Sequence, residues 1–330
     1  MSHLIFLAHT PDMRRNYYGE EALAELRTLG PVQLHEGTQP LDGAGLVAAA
    51  QGTRVIVADR MTPGPAEVFA DLPDLVAFVR VAVDIRNIDV EAASAAGVLV
   101  THAGPGFVAS VAELVLGLMV DLSRGISRAV RDYQAGRIPV PQMGRQLSGA
   151  TMGIIGYGSI GRYLAPLGVA LGMTVSVADP YAAVKNPALR QTTLDELLAQ
   201  SDYVVCLAAA TAATENLMDA AAFARMKPGA FFVNVSRGNL VDEAALEAAL
   251  RSGHIGGAAL DVGRAPDQMP SPRITALPEV IATPHVGGLT PQAIAFQALG
   301  TVRQVAAILN NEVPPGAVNA ERWTRRLTIR

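Results

Sequence analysis

At 330 residues, half of them hydrophobic and 17% charged, the chain has room for two α/β domains of about 100 to 200 residues each. A formal net charge of −4 gives no electrostatic ground for a nucleic acid or an anionic membrane as partner. Cys206 is the only cysteine, which excludes an intrachain disulfide and a cysteine-rich metal site, and its apolar neighbours suggest packing rather than reactivity. No apolar run nears the ~20 residues of a membrane span; residues 111–120 come nearest but are short and include Glu113. The opening MSHLIFLAHT has no basic region and no small-residue cleavage pattern, so it reads as a first strand rather than a signal peptide, and a soluble, cytoplasmic protein is expected.

From the start, short apolar runs alternate with helical stretches. Strands are expected over 3–8, 32–34, 54–58, 75–80 and 98–100, and helices over 19–29, closed by Gly30-Pro31, and 43–51. Such alternation marks a parallel sheet with helical crossovers. This first region has no glycine fingerprint. Around Ala103 the composition shifts to GPGF, then to one long helical pattern over 108–136 and the proline-containing IPVPQMGRQLSG, which reads as a crossing between domains.

Residues 151–179, TMGIIGYGSIGRYLAPLGVALGMTVSVAD, form the stretch around which the rest is arranged. A strand over 152–155 runs into Gly156, Gly158 and Gly161, a helix follows through 171, and a second strand ends at Asp179. Gly156 permits the tight turn, Gly158 lets backbone approach a pyrophosphate, and Gly161 allows close helix–strand packing. The N-terminal end of the helix, with Ser159 and Ile160 in its first turn, offers free N–H groups and a positive dipole to phosphates. Asp179, 18 residues beyond Gly161, is placed to accept both hydroxyls of an adenosine ribose, and its charge would repel a 2′-phosphate. NAD is therefore expected rather than NADP. G-x-G-x-x-G alone means little among 31 glycines; strand, helix and acid in the right order give it weight.

The pattern continues with helices over 193–199, 221–226 and 242–251, the last capped by Asp242, and strands over 203–207, 231–235, 256–262 and 280–282. Thr290-Pro291 opens a final helix to about 309, long enough to return the chain to the first region. The expected architecture is α/β: two Rossmann-like domains, each a parallel sheet with helices on both faces, and a cleft between them. Residues 1–102 and 290–330 would make a discontinuous substrate domain, and 103–289 the NAD-binding domain. The helical pattern from 108 carries Val111, Leu114, Val115, Leu118 and Leu122 on one face, which is expected to cover a second copy in a homodimer, unless that face packs within its own domain. The basic ending RWTRRLTIR reads as a solvated tail or subunit contact.

Six motifs occur in order: RNIDVEAA at 86–93, SVAEL at 110–114, GIIGYGSIG at 153–161, MKPGAFFVNVSRGNLVDEAAL at 226–246, GAALDV at 257–262 and TPHVGG at 283–288. Together they make the chain resemble the D-isomer-specific 2-hydroxyacid dehydrogenases, over most of its length and most strongly from about 75 to 300. The resemblance implies that Arg237 binds the substrate carboxylate and 2-oxygen as a planar cationic fork. It implies that His285 is the general acid and base at that oxygen, that Asp261 holds the nicotinamide amide, that Gly287 lies at the cofactor, and that Val83 and Asp84 belong to the loop holding the substrate carboxylate. Alone, Arg237 would read as a surface salt bridge and His285 as a structural histidine. No histidine pair at i,i+3 or i,i+4 and no carboxylate cluster has metal-ligand spacing; hydride transfer needs no metal.

Three departures from the family pattern stand out. The family places a glutamate before a proline after LDV, as the partner of the histidine; here Ala265 precedes Pro266, with Asp267 as the only nearby substitute. Asp84 replaces a glycine of the substrate loop, where its charge would repel a carboxylate unless Arg86 neutralises it. Phe107-Val108 stands for Asn-Thr, and Leu207 and Ala209 for a His and a Pro. The leading expectation is an NAD-dependent oxidoreductase interconverting a D-2-hydroxy acid and its 2-oxo acid. The alternative is a catalytically weak NAD(H)-sensing regulatory protein of the same fold, and a third reading is a related dehydrogenase whose substrate lacks the usual carboxylate.

Overall fold

A computed structural model describes residues 4–327, except for the side chain of Asp267. The chain divides into two compact units, one comprising residues up to Gly106 and from Pro291 onward, the other Phe107–Thr290.

The first unit begins β1 (Ile5–Leu7), α1 (Pro11–Tyr17), α2 (Glu20–Leu29), β2 (Val32–Leu34), α3 (Gly43–Ala49), β3 (Val55–Ala58), α4 (Ala66–Asp71), β4 (Ala77–Arg80), α5 (Val90–Ala95) and β5 (Leu99–His102). The strands lie in the order β2-β1-β3-β4-β5, and every pairing is parallel. Both faces of the inner strands are covered, so β1 and β3 read as continuous apolar runs. Val55 and Val57 of β3 face one hydrophobic cluster, Ile56 and Ala58 the other. The turn into α1 escaped the apolar pattern because this helix buries no residue; its signals are the Thr10 cap on Met13 N and Pro11 in the first turn.

The second unit runs α6 (Val108–Arg124), α7 (Ile126–Gln134), β6 (Thr151–Ile155), α8 (Ser159–Ala170), β7 (Thr174–Ala178), β8 (Leu189–Gln191), α9 (Leu194–Gln200), β9 (Tyr203–Cys206), α10 (Ala220–Arg225), β10 (Phe231–Asn234), α11 (Glu243–Arg251), β11 (Gly257–Leu260), α12 (Pro272–Thr275) and β12 (Val280–Ala282). Its seven parallel strands are ordered β12-β11-β10-β9-β6-β7-β8. The single helix expected over 108–136 is two: Gly125 adopts φ +65° and ends α6, donating its N–H to Asp121 O. The apolar face expected to meet a second copy is used internally. Val111, Val115 and Leu118 are buried with Met152, Ile154 and Ala259 in this unit's own core.

The last helix, α13 (Pro291–Leu309), rejoins the first unit, where Ala298, Val302, Val305 and Ile308 pack with Leu23, Leu26, Val55 and Val79. Beyond it the chain borders β5: His102 N donates to Gly316 O, Val318 N to Val100 O, and the Asn319 amide bonds Val100 N, Val98 O and Ser94 Oγ. The described part of the basic ending is anchored by buried Trp323 and Leu327, while Arg322 and Arg326 stay exposed. Arg325 donates to the carbonyls of Phe69 and Leu72 at the end of α4 and of Leu75 in the turn beyond it, and Arg322 pairs with Glu91.

Candidate active site

In parallel sheets ligands gather at the carboxyl ends of the strands, where the strand order reverses. In the second unit that point lies between β6 and β9. Gly156 follows β6 there with φ +97°, and a Cβ on it would stand 2.7–2.8 Å from the backbone of Leu207 and Ala208 after β9. On Gly161 a Cβ would meet Gly156 O at 2.5 Å, whereas around Gly158 there is nothing within 4 Å. Two glycines are thus demanded by the chain's own packing. The third leaves open space at the head of α8, beside Ser159 and Ile160 in its first turn, which is what a pyrophosphate requires.

Asp179 follows β7 and does more than await a ribose. One carboxylate oxygen accepts Tyr157 N at 2.6 Å, and the other accepts Tyr181 N at 2.8 Å and Ala182 N at 3.0 Å. Burial works against its charge, but these donors and nearby Arg162 outweigh it, so the carboxyl lies below its ordinary range. Arg162 also stacks 4.5 Å over the Tyr157 ring. The acid therefore ties the glycine turn to the loop after β7, with lone pairs left for hydroxyl donors.

Further along the same rim, β10, β11 and β12 end in register, Asn234 beside Leu260 and Leu260 beside Ala282. Arg237 lies three residues past β10. The turn carrying it is shaped by Asn234, which is 1% exposed; its amide donates to Arg237 O and accepts Ser236 N, while Ser236 Oγ donates to Ala208 O. Arg237 Nη1 donates to Ser236 O at 2.7 Å. Gly238 is forced by proximity, since a Cβ there would lie 2.1 Å from Gly263.

His285 lies three residues past β12 in a left-handed conformation, φ +55°, a strained setting for a histidine. Asp261, one residue past β11 and also 1% exposed, holds its loop: one carboxylate oxygen accepts Thr283 Oγ1 at 2.6 Å and Val286 N at 2.8 Å, the other Gly287 N at 2.8 Å. The position of Gly287 admits nothing larger, because its Cβ would sit 2.9 Å from Asp261 Oδ2. In this structure Asp261 is thus a scaffold for the histidine loop. The motif GAALDV marked Asp261 but not that work, and Asn234 was missed although an amide two residues before a serine at a strand end is an Asx-turn signal.

The segment that lacks the glutamate is a short 3-10 turn. Gly263 N and Ala265 N donate to Gln268 O and Met269 O, and Arg264 clamps it by donating to Val241 O, Asn239 O, Asn216 Oδ1 and Glu215 Oε1. Ala265 presents no carboxylate, and the Asp267 side chain lies outside the described residues. Among the described residues no group of three or more His, Cys, Asp or Glu side chains is placed to hold a metal. Val83 and Asp84 belong to the first unit, on the loop after β4. There Arg86 does grip Asp84, Nε lying 3.0 Å from both carboxylate oxygens and Nη2 2.6 Å from Oδ2.

The family model described as D-isomer specific 2-hydroxyacid dehydrogenase, NAD binding domain, matches residues 116–287. A (S)-sulfolactate dehydrogenase of Chromohalobacter salexigens is 34% identical over 88% of this chain and 97% of its own length. The chain belongs to the D-isomer-specific 2-hydroxyacid dehydrogenases. A second family member, the D-3-phosphoglycerate dehydrogenase of Mycobacterium leprae, is 36% identical over 85% of this chain, which spans only 54% of that longer relative. The solved TT0316 protein of Thermus thermophilus superposes with a TM-score of 0.86 at 29% identity, covering 96% of this chain and 99% of that one. The second unit is thus the family's NAD-binding domain, and the glycine turn, the head of α8 and Asp179 suit that cofactor. No helix among the described residues is long and apolar enough to cross a membrane.

Proposed function

We propose that this family member is an NAD-dependent dehydrogenase that interconverts a D-2-hydroxy acid and its 2-oxo acid. The observation that carries the proposal is the shared rim: Arg237 and His285 each follow the end of a strand by three residues, in one sheet, each on a turn fixed by a buried polar side chain, Asn234 and Asp261. Such fixed placement is what orienting groups need.

Gly156, Gly158, Ser159, Ile160, Gly161 and Asp179 would hold NAD, with Gly287 beside it; bound there, the cofactor would supply the hydride acceptor for oxidation at C2 of the hydroxy acid or, reduced, the hydride donor for the oxo acid. The Arg237 guanidinium orients the substrate carboxylate and polarises the 2-oxygen. The His285 imidazole accepts the hydroxyl proton in oxidation and donates one to the 2-oxygen in reduction. Val83 and Asp84 contact the substrate through their loop, and the Arg86 clamp on Asp84 lowers the repulsion a second carboxylate would meet.

Steady NADH oxidation is the test, with glyoxylate, hydroxypyruvate, phenylpyruvate, branched 2-oxo acids and the oxo acids of 3-phosphoglycerate and sulfolactate. Turnover of at least one, with only the D-enantiomer oxidised in reverse, is expected. NADH binding without turnover of any would instead favour the second reading, an NAD(H)-sensing regulator, toward which Ala265 in place of glutamate points.

A homodimer belongs to the same proposal. The internal use of the α6 face moves the contact to α7, which buries none of its residues, and to the following arm, where Ile138, Val140 and Met143 are exposed, Met143 completely. A light-scattering mass near 34.5 kDa at micromolar protein would exclude it.

A further inference from the structure

Arg80, the last residue of β4, is the largest fully buried side chain of the described residues, with no exposed surface. A buried guanidinium is expensive and ordinarily sits against a carboxylate. Here the fork is spent instead on neutral acceptors from two loops. Nη1 donates to Asp59 O, and Nη2 to Thr62 O at 2.9 Å and to Asn87 Oδ1 at 2.8 Å.

The first two acceptors lie in the turn after β3, and the third lies beyond the loop that carries Val83 and Asp84. Asn87 completes the connection: its side-chain Nδ2 donates to Arg60 O at 3.1 Å, its backbone carbonyl accepts Gly64 N, and Gly64 O accepts Asp89 N. At the loop's other end Val81 N donates to Ala58 O, and Ala103 N bonds both Arg80 O and Ala82 O. Residues 82–86 are therefore stretched between two anchors, one made by the sheet and one by the Arg80 fork. Burial pulls the Arg80 pKa down to about 10, against Asp59 and Asp84, so it stays charged near neutrality and its field also opposes the Asp84 charge.

We propose that Arg80 is a positioning residue for the substrate: by drawing the 59–62 turn and Asn87 onto one guanidinium, it sets the shape of the loop presenting Val83 and Asp84. This rests on the reading of that loop as substrate-binding. Arg80 does not touch the substrate. A rigid salt-bridge partner would stabilise the fold without caring where Asn87 lies; a three-acceptor fork fixes the distance between the two loops.

Three single variants of the full chain, and the double variant of the first two, test it. Arg80→Lys keeps the charge but loses the fork, Asn87→Ala removes the exposed link without burying a new group, and Val302→Ala loosens the same unit's core as a control of stability. With a turned-over oxo acid, Arg80→Lys should raise its KM about tenfold or more and Asn87→Ala several-fold, the double variant adding little because the links form one network. The kcat and the KM for NADH should stay within roughly twofold. Amide exchange should show residues 59–64 and 81–89 losing protection together in Arg80→Lys, while β1 and β5 keep theirs. An unchanged KM, a fall in kcat instead, or an equal KM rise in Val302→Ala at matched loss of Tm would overturn the proposal. If no oxo acid is turned over by the unsubstituted protein, the dehydrogenase reading fails and the substrate role of Arg80 falls with it, while the exchange experiment still decides the bracing of the loop: unchanged protection at 59–64 and 81–89 refutes it, and their joint loss upholds it.

Discussion

The two sheets have the same parallel construction, and the contrast lies at their rims. Where the strand order reverses in the NAD-binding unit, the chain supplies Gly156, Gly158 and an open helix head. At the matching point of the other unit, between β1 and β3, it supplies His9, Asp59 and, from the adjacent strand, Arg80, all buried. His9 has no exposed surface and neither ring nitrogen has a partner among the described residues. Topology offers a crevice in both units. Side-chain volume and charge decide whether it is left open for a dinucleotide or filled to brace a loop.

The largest effect expected from breaking this division concerns its two histidines. His285→Gln should lower kcat/KM about 10²- to 10⁴-fold while NADH still binds, whereas His9→Phe, which can pack on the Tyr18 ring 5.2 Å away, should leave kcat nearly intact. Steady-state kinetics and NADH fluorescence titration on both variants check this, and comparable losses of kcat would erase the distinction.

His9 should act on stability instead. Burial lowers its pKa from 6.5 to about 4, with Asp59 working against that and Arg80 and Arg14 adding to it. Between these values the unfolded chain binds a proton that the folded unit refuses, so stability is full above about pH 6.5 and falls as pH drops toward 4. The loss amounts to about 3 kcal/mol. Urea unfolding from pH 7 to 4 should show this slope in the unsubstituted protein and a shallower one in His9→Phe; parallel slopes would remove His9 as the cause.

A smaller effect separates the glycines. Gly158→Ala meets no atom within 4 Å, so Tm should hold while NADH affinity falls about tenfold, a Cβ now standing where phosphate approaches. Gly156→Ala should lose Tm as well, because its Cβ meets backbone and φ is +97°. Equal Tm for the two variants would show that the β6 turn tolerates what its geometry forbids. The mildest expectation is cofactor choice: NAD should exceed NADP by more than about tenfold in kcat/KM, since Asp179 keeps its charge.

The inner strands were legible in the sequence because both faces of each sheet are covered, which turns them into short apolar runs, whereas the edge strand β8, with Arg190 and Gln191 exposed, was not read as a strand. It did less well with helices lacking such a stripe. α1 buries nothing, and α4 and α5 are six residues each. The break at Gly125 was hidden because apolar spacing continues through it, and the conformation of one glycine, not hydrophobicity, ends the helix. At the site, Arg237, His285 and the glycines were legible as motifs. The support beneath them was not, since a hydrogen bond from Asn234 to the Arg237 turn or from Gly287 to Asp261 leaves no periodic trace.

By itself the sequence determined the α/β class, the dinucleotide fingerprint and the acid at the end of β7, because these depend on spacing within about thirty residues of chain. Tertiary structure alone decided that the α6 face serves its own core, that the Asp179 and Asp261 carboxylates hold backbone N–H groups, and that Arg80 reaches from a strand end to Asn87. The physical reason is spatial: an apolar face buries against whatever the fold sets opposite it, and most polar groups taken from water bond to whatever the fold brings within reach, a choice made by strands distant in sequence and adjacent in the sheet.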